Sequence, residues 1–246
     1  MSSPILEVIS LDATDARNAQ AGGADRIELV SDMLRGGLTP SVETFVSVRA
    51  ATDLPIRVMI RQQDGYAAGA VGVLRHAAKE LRANGADEFV LGFLDDRGAV
   101  DVKSVAALLE VIDGCSWTFH RALDHATDRA AAWQAIEDLP GLDFVLTSGG
   151  PLGVGEGIDT LIAEAGLRSE PRILAGGVLR EQHLSALLEG GVDAFHTGSA
   201  VRVDGRWDAP VDVIAVSRWT LAVSRGQDRA SEHGPSAFRN DAGPAV

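Results

Sequence analysis

Four copies of a Gly-x-Asp phrase stand where a helix-like segment of this chain gives way to a β-like run. They are Gly23-Ala24-Asp25, Gly85-Ala86-Asp87, Gly141-Leu142-Asp143 and Gly191-Val192-Asp193. Glycine readily adopts the left-handed conformation that ends a helix, so each phrase predicts a helix that turns directly into the next strand. One connection used four times favours a repeated β-α unit over two unrelated domains.

Eight β-like runs alternate with eight helix-like segments along the chain. The candidate strands are 5–10, 26–30, 56–60, 88–94, 116–122, 143–148, 172–178 and 193–198. The candidate helices are 12–22, 40–51, 70–84, 101–112, 128–138, 156–165, 180–189 and 211–223. Eight such units predict a single α/β domain over residues 1–223, folded as a closed (βα)8 TIM-type barrel. An open doubly wound sheet is the alternative, but Leu11-Asp12-Ala13-Thr14 lacks the Gly-x-Gly-x-x-Gly turn expected after its first strand.

The remaining residues, 224–246, are polar and rich in Gly, Pro and Ser, which predicts a disordered C-terminal tail. The net charge of −13 repels phosphate backbones and anionic lipid, so neither nucleic acid nor a membrane surface is an expected partner. Neither a signal peptide nor a membrane-spanning segment is predicted. Cys115 is the single cysteine, which excludes an intramolecular disulfide and a Cys-rich metal site. A cytoplasmic protein is therefore expected, and a homo-oligomer is compatible with the sequence.

Polar residues stand at the carboxyl ends of the candidate strands, where barrels of this type build their active sites. The candidate catalytic residues are Glu7, Glu28, Arg61, His120, Arg121 and His196. Alternation along each strand would turn most of them toward a common mouth. Arg121 is expected at the rim of that mouth or paired with Asp124. The alternative is structural: a strand glutamate such as Glu7 or Glu28 can pair with a neighbouring arginine such as Arg26.

This set of side chains suits proton abstraction beside a carbonyl, as in an isomerase, epimerase or lyase. Glu7 or Glu28 would be the general base and His120 or His196 the general acid, with Arg61 and Arg121 stabilising an oxyanion. Both lysines of the chain, Lys79 and Lys103, lie in helical segments, so a Schiff-base aldolase is not expected. The sequence identifies no cofactor, and no residue is assigned as a metal ligand.

Small residues follow the later strands and predict a phosphate-binding pocket. The candidate anion-binding residues are Ser148, Gly176, Gly177, Gly198 and Ser199. Small side chains leave backbone N–H groups accessible at the place where barrels commonly hold a phosphate. The alternative is that these glycines only permit tight turns. The expected ligand is a small anionic metabolite or a metal ion.

Several phrases resemble the CutC family of copper homeostasis proteins, in the same order from residue 5 to about residue 200. They are Leu6-Glu7-Val8, Gly23-Ala24-Asp25-Arg26-Ile27-Glu28-Leu29, Gly36-Gly37-Leu38-Thr39-Pro40-Ser41, Ile60-Arg61, Thr118-Phe119-His120-Arg121-Ala122, Leu146-Thr147-Ser148-Gly149 and Gly176-Gly177-Val178. The resemblance implies a cytoplasmic TIM-type barrel that handles copper, with Cu(I) held in some members by cysteine thiolates near the ends of the first two strands.

This chain departs from the family pattern at the thiolate positions, which the resemblance places at Ile9 and Val30. Neither side chain binds a metal, and the remaining Glu and His residues suit a harder divalent ion. The Arg-Pro-Arg phrase common after strand three is Arg61-Gln62-Gln63 here, which removes positive charge. Two hypotheses stay open: a metal-binding homologue of the copper homeostasis proteins, or an enzyme acting on a small anionic or phosphorylated metabolite.

Overall fold

The structure is a computed structural model that describes the backbone of residues 3–233 and the side chains of residues 3–226. Eight parallel strands hydrogen-bond in chain order and close into a barrel, which confirms the predicted fold. The strands are β1 (Ile5–Ser10), β2 (Arg26–Leu29), β3 (Ile56–Met59), β4 (Glu88–Leu91), β5 (Ser116–Phe119), β6 (Leu142–Thr147), β7 (Arg172–Ala175) and β8 (Ala194–Thr197). The helices are α1 (Ala13–Ala21), α2 (Val42–Arg49), α3 (Val71–Ala83), α4 (Val102–Leu109), α5 (Arg129–Ile136), α6 (Val154–Leu167), α7 (Leu184–Glu189) and α8 (Val213–His233). None of the helices in the described range is both long and apolar enough to cross a membrane.

The four Gly-x-Asp connections behave as the sequence predicts. Gly23, Gly85, Gly141 and Gly191 all have positive φ angles, between 77° and 102°. The left-handed conformation at these positions ends the preceding helix and turns the chain into the next strand. The same turn recurs at the amino ends of β2, β4, β6 and β8. The longer loops lie at the opposite end of the barrel, after the carboxyl ends of the strands.

Several strands end earlier than the sequence predicts. Strand β5 stops at Phe119 because the chain turns at once into a 3-10 segment, Arg121–His125. The His120 side chain caps this segment by accepting the N–H of Ala122. Strand β7 likewise stops at Ala175. His120, Arg121, Gly176 and Gly177 therefore lie on loops just beyond the sheet, at the barrel mouth.

Helix α8 continues to His233, past the predicted domain boundary at residue 223. Val216, Trp219 and Val223 on this helix are buried, so its packing against the barrel extends the helix into the segment expected to be a tail. The rest of that segment, 234–246, lies outside the described residues, and its disorder stays a prediction.

The main apolar core lies between the outer face of the sheet and the helices. The inside of the barrel is different, because charged residues occupy its lower part. Arg57, 1% exposed, bonds to Glu88 and to Asp143, and its guanidinium lies 5.3 Å from the ring centroid of Phe144. This ion-pair network fills the lower part of the barrel interior, below the mouth at the carboxyl ends of the strands.

Candidate functional site

A cavity of about 320 Å³ opens at the carboxyl ends of the strands. Five of the six candidate catalytic residues line it: Glu28, Arg61, His120, Arg121 and His196. Three of the candidate anion-binding residues line it as well: Gly177, Gly198 and Ser199. The convergence of residues so far apart in sequence follows from the closure of the barrel, which brings the end of every strand to one mouth.

Glu7 lies one layer below the cavity, where it is fully buried and holds two partners. Its Oε2 is 2.5 Å from Arg26 Nε, and its Oε1 accepts a hydrogen bond from His196 Nδ1 at 2.8 Å. Burial alone would raise the pKa of Glu7, but Arg26 and His196 outweigh it and lower the pKa to about 2. Glu7 is therefore ionised, and it fixes His196 in the tautomer or charge state that carries a proton on Nδ1.

Glu28 is buried beside His196 but has no comparable ion-pair partner. Its Oε2 lies 3.8 Å from His196 Nε2, and its Oε1 makes no hydrogen bond within the described part of the chain. Burial raises the pKa of Glu28 to about 7, and repulsion from Glu7 adds to this effect. One carboxylate of the pair is thus permanently charged, while the other can gain or lose a proton near neutral pH.

The ligand atoms of Glu7, Glu28 and His196 all lie within 4.8 Å of one another. No residue was assigned as a metal ligand from the sequence, although its Glu and His residues were expected to suit a harder divalent ion. A cluster of two carboxylates and an imidazole has the donor atoms of a divalent-metal site. The same cluster can also transfer protons, so its geometry alone allows both kinds of chemistry.

His120 lies on the opposite side of the cavity from this cluster and has a different protonation state. Its Nδ1 accepts the backbone N–H of Ala122 at 3.2 Å, so the neutral ring carries its proton on Nε2. Burial, and after it the positive charge of Arg61, lower the pKa of His120 from 6.5 to about 3. The ring is 4% exposed, and Nε2 has no hydrogen-bond partner among the described residues. His120 is therefore a neutral hydrogen-bond donor at physiological pH, whereas the general-acid role needs a ring that is protonated.

The two arginines of the mouth differ in how much of their guanidinium is engaged. Arg61 bridges two loops, with Nη1 donating to Gly36 O at 2.7 Å and Nε donating to Gly65 O at 3.1 Å. Arg121 pairs with Asp124 through Nε at 2.9 Å, as expected from the sequence, and its Nη2 donates to Ser148 Oγ at 3.1 Å. Arg61 mainly supports the wall of the cavity. Arg121 is held through two nitrogens, and its third nitrogen, Nη1, has no hydrogen-bond partner among the residues whose side chains are described.

Ser148 and Gly176, both predicted as anion ligands, lie behind the wall of the cavity. Ser148 is fully buried, and it bonds to Arg121 and to Asp124. Gly176 packs against His196, since a Cβ atom built on it would lie 2.9 Å from His196 Cβ. Neither residue lines the cavity, so direct ligand contact stays a prediction for both. In the structure Ser148 holds Arg121, and Gly176 packs against His196.

Asp124 and Tyr66 are site residues that the candidate set left out. Asp124 is buried and accepts hydrogen bonds from Arg121, Arg129, Thr147 and Ser148, which join two loops of the mouth. Tyr66, the single tyrosine of the chain, lines the cavity and stacks on His125 with ring centroids 4.7 Å apart. The position of Asp124 in the phrase after β5 was a usable signal, whereas nothing in the sequence indicated which way Tyr66 points.

Comparisons with known proteins agree on the fold and on the family. The structure superposes on a CutC protein of Streptococcus agalactiae, described as a candidate copper homeostasis protein, with a TM-score of 0.72, 23% identity and coverage of 79% of this chain and 98% of the other. It also superposes on a thiamine phosphate pyrophosphorylase of Pyrococcus furiosus with a TM-score of 0.58, 18% identity and coverage of 90% and 96%. At these identities both likenesses show the fold alone.

The sequence comparisons are more specific. A CutC family protein of Klebsiella pneumoniae is 32% identical over 206 residues, which cover 82% of this chain and 81% of the relative. A CutC family protein of Xanthomonas campestris pv. campestris is 36% identical over 212 residues, covering 83% and 87%. The model of the CutC family matches residues 5–201. The phrases that carried the resemblance thus lie within a match over most of the chain, and the protein belongs to the CutC family.

Proposed function

We propose that this member of the CutC family binds a divalent metal ion at the barrel mouth, between the imidazole of His196 and the carboxylate of Glu28. The supporting observation is the distance between these two groups. His196 Nε2 and Glu28 Oε2 lie 3.8 Å apart, which is too far for a hydrogen bond. A transition-metal ion at about 2.0–2.2 Å from each donor spans such a gap. Copper is the ion suggested by the description of the Streptococcus agalactiae relative.

The environment of His196 supports this proposal. Metal-binding histidines usually donate their second ring N–H to a carboxylate, which fixes the tautomer and the orientation of the ring. Glu7 accepts the Nδ1–H of His196 at 2.8 Å and is itself held by Arg26. Burial opposes protonation of His196, but Glu28 and Glu7 outweigh it and raise the pKa of the ring. An ion would therefore displace the proton of Nε2 on the side of Glu28, whose Oε1 is buried and without a hydrogen-bond partner in the described structure.

The donor atoms favour copper(II) over copper(I). Imidazole nitrogen and carboxylate oxygen suit Cu(II), whereas Cu(I) prefers sulfur. The family resemblance places thiolates where this chain has Ile9 and Val30, and both side chains are buried in an apolar cluster. The thioethers of Met33 and Met59 line the same cavity and are the soft donors that this chain offers there.

Titration of metal-free, tag-free protein with Cu(II) tests the proposal. Isothermal titration calorimetry is expected to give one bound ion per chain, and electron paramagnetic resonance is expected to show coupling to one imidazole nitrogen. His196→Gln and Glu28→Gln should each weaken binding by at least about 10-fold. His76→Gln is the matched control, because His76 is exposed on α3, and it should bind like wild type.

Two results would contradict the proposal. One is a wild-type protein that binds no stoichiometric Cu(II); the other is a His196→Gln variant that binds as tightly as His76→Gln. A parallel titration with Cu(I) under reducing conditions separates the oxidation states. If Cu(I) binds more tightly than Cu(II), and if this binding is lost in the Met33→Leu and Met59→Leu variants, the copper site is formed by thioethers and not by the proposed nitrogen and oxygen donors.

A second candidate function, acid–base catalysis on a small anionic metabolite, is supported by the pKa of Glu28. A carboxylate whose pKa is raised to about 7 is suited to accept a proton at neutral pH. Glu28 lines the cavity together with Arg121 and His120, which offer positive charge and a hydrogen-bond donor for a developing oxyanion. In this role Glu28 is the base that removes a proton beside a carbonyl, as in an isomerase, epimerase or lyase.

Proton exchange tests the second candidate without knowledge of the product. A panel of small keto acids and sugar phosphates is incubated with chelator-treated protein in D2O, and NMR follows deuterium incorporation beside the carbonyl. At least one compound should exchange with wild type, and Glu28→Gln should lower that rate by about 100-fold or more. His76→Gln should exchange like wild type. A panel in which wild type shows no exchange above buffer alone contradicts the catalytic role and leaves the metal proposal standing.

A further inference from the structure

We propose that the wall of the cavity around Arg121 is a subsite for the phosphate group of a small monoester. The residues that carry this inference are Arg121, His120, Ser199 and the backbone of Gly177 and Val178. None of them belongs to the proposed metal site. The inference therefore stands whether or not a metal binds between Glu28 and His196.

The guanidinium of Arg121 is fixed with one nitrogen left over. Nε is held by Asp124 and Nη2 by Ser148, and both of these partners are fully or almost fully buried. Nη1 donates to no protein acceptor in the part of the chain whose side chains are described. Since the other two nitrogens are anchored, Arg121 presents a positive charge and free N–H groups at a constant position in the cavity.

The loop after β7 lies directly under this guanidinium. A Cβ atom built on Gly177 would be 2.7 Å from Arg121 Cζ, so any other residue would displace the guanidinium from this position. Gly177 and Val178 have φ angles of 95° and 56°, and a β-branched residue such as Val178 rarely adopts the left-handed region. Both residues line the cavity, and their backbone N–H groups donate to no acceptor among the described residues.

The loop after β8 adds further backbone N–H donors to those of the loop after β7. Ser199 and Ala200 line the same cavity, and their backbone N–H groups likewise have no protein acceptor in the described range. Backbone N–H groups gathered in a concave loop are a common binding surface for phosphate oxygens. Both loops were singled out in the sequence for their small residues.

His120 provides an independent indication of a ligand. Its Nε2–H is buried and unpartnered, which costs free energy unless a bound group accepts the hydrogen bond. The pocket therefore offers a fixed guanidinium, an imidazole N–H and several backbone N–H groups, all of which are donors. The nearby carboxylate, Asp124, is already saturated by protein donors. A phosphate, with three acceptor oxygens and negative charge, matches this set.

The volume of the cavity limits the size of the ligand. At about 320 Å³ it is at the lower end of the range for small-molecule pockets, which suits a compact metabolite rather than a nucleotide. With its phosphate at Arg121, such a monoester would extend toward Glu28 and His196 on the facing wall. If the second candidate function is correct, the subsite implies that the substrates of the enzyme are small phosphate monoesters.

Inorganic phosphate is the probe that tests the subsite directly. Chelator-treated, metal-free protein is titrated with phosphate, and binding is followed by 31P NMR and by calorimetry. Wild type is expected to bind one phosphate, and Arg121→Gln should weaken binding by at least about 10-fold, the loss expected for one charge-assisted contact. Arg17→Gln is the matched control because Arg17 is exposed on α1 and the variant changes net charge equally.

Ser199→Asp guards against a folding defect in the Arg121 variant. Ser199 is exposed at the rim, so the change should leave the fold intact while the new carboxylate repels phosphate and lowers affinity by at least about 10-fold. Wild type that binds no phosphate overturns the subsite, as do Arg121→Gln and Ser199→Asp variants that bind like Arg17→Gln. Loss of Cu(II) binding with phosphate binding intact would instead reject only the metal proposal.

Discussion

Arg26 Nε lies 2.5 Å from Glu7 Oε2, and both side chains are buried inside the barrel. The sequence left open whether Glu7 is functional or pairs with Arg26 as a structural element. The structure shows that it pairs with Arg26 while its second oxygen orients His196 at 2.8 Å. One carboxylate therefore neutralises a buried arginine and fixes the imidazole of the site.

Glu7→Gln should destabilise the protein strongly. The substitution leaves Arg26 buried without its counter-charge, and loss of one partner of a buried ion pair costs roughly 3–5 kcal/mol. Urea denaturation at pH 7 measures the change in the free energy of unfolding. Asp208→Asn is the control: its ion pair with Arg206 is fully exposed, so no measurable change is expected. Equal stability of the two variants would show that the buried pair does not stabilise the barrel.

His120 should make the protein sensitive to acid. Its folded-state pKa is lowered from 6.5 to about 3, so below pH 6.5 the unfolded chain binds a proton that the folded protein does not. Stability from this residue is complete above pH 6.5 and is lost as the pH falls toward 3, by about 1.4 kcal/mol per pH unit. His120→Asn keeps an acceptor for the Ala122 N–H but cannot titrate.

Urea denaturation of both proteins between pH 4 and 7 measures this effect. The free energy of unfolding of the Asn variant should fall less steeply with decreasing pH than that of wild type. His76→Asn, on the surface of α3, should keep the wild-type slope. Parallel pH profiles for wild type and His120→Asn would mean that His120 is not held neutral by the fold.

The sequence predicted the barrel well because its main determinants are local. The glycines of the four Gly-x-Asp phrases take left-handed conformations that the residue type itself favours, and they mark four of the seven helix-to-strand connections. Strand alternation also predicted that Glu28 and His196 would share the mouth. These inferences need only the chain's own periodicity and the closure of the sheet.

The details of the site depended on contacts that periodicity does not describe. Ser148 looked like a phosphate ligand by its position, yet its hydroxyl is buried against Asp124 and Arg121. Tyr66 reaches the cavity because its loop folds back over the mouth, which no sequence pattern indicated. The different protonation of His120 and His196 follows from their surroundings. Burial and Arg61 lower the pKa of His120, whereas Glu28 and Glu7 raise the pKa of His196 against the effect of burial.

Gly177→Ala should separate ligand binding from stability. The new Cβ meets the far end of the Arg121 side chain, which can move aside, so the stability cost should come mainly from the left-handed backbone, about 1–2 kcal/mol. Gly114→Ala is the matched control because Gly114 has a φ of 77° and open space around it. The two variants should have similar stability in urea.

Phosphate affinity is expected to distinguish these two glycine variants. Gly177→Ala should lose binding because Arg121 and the loop after β7 are displaced, whereas Gly114→Ala should bind like wild type. The comparison is made by 31P NMR on metal-free protein. A Gly177→Ala variant that retains full affinity would show that the contact between Arg121 and Gly177 does not build the subsite.

Restoring thiolates at Ile9 and Val30 should create a copper(I) site in this chain. Both side chains belong to one buried cluster at the barrel mouth, together with Met59, so two cysteines there would lie near a third sulfur donor. Thiolates are the ligands that Cu(I) prefers, and the wild-type mouth has none. The Ile9→Cys/Val30→Cys variant should therefore bind one Cu(I) under reducing conditions at least about 100-fold more tightly than wild type.

Competition with a chromogenic Cu(I) chelator measures this difference, and Ile9→Ser/Val30→Ser is the matched polar control. If the cysteine variant binds Cu(I) no better than the serine variant, the mouth does not hold these two positions in a geometry that can share an ion.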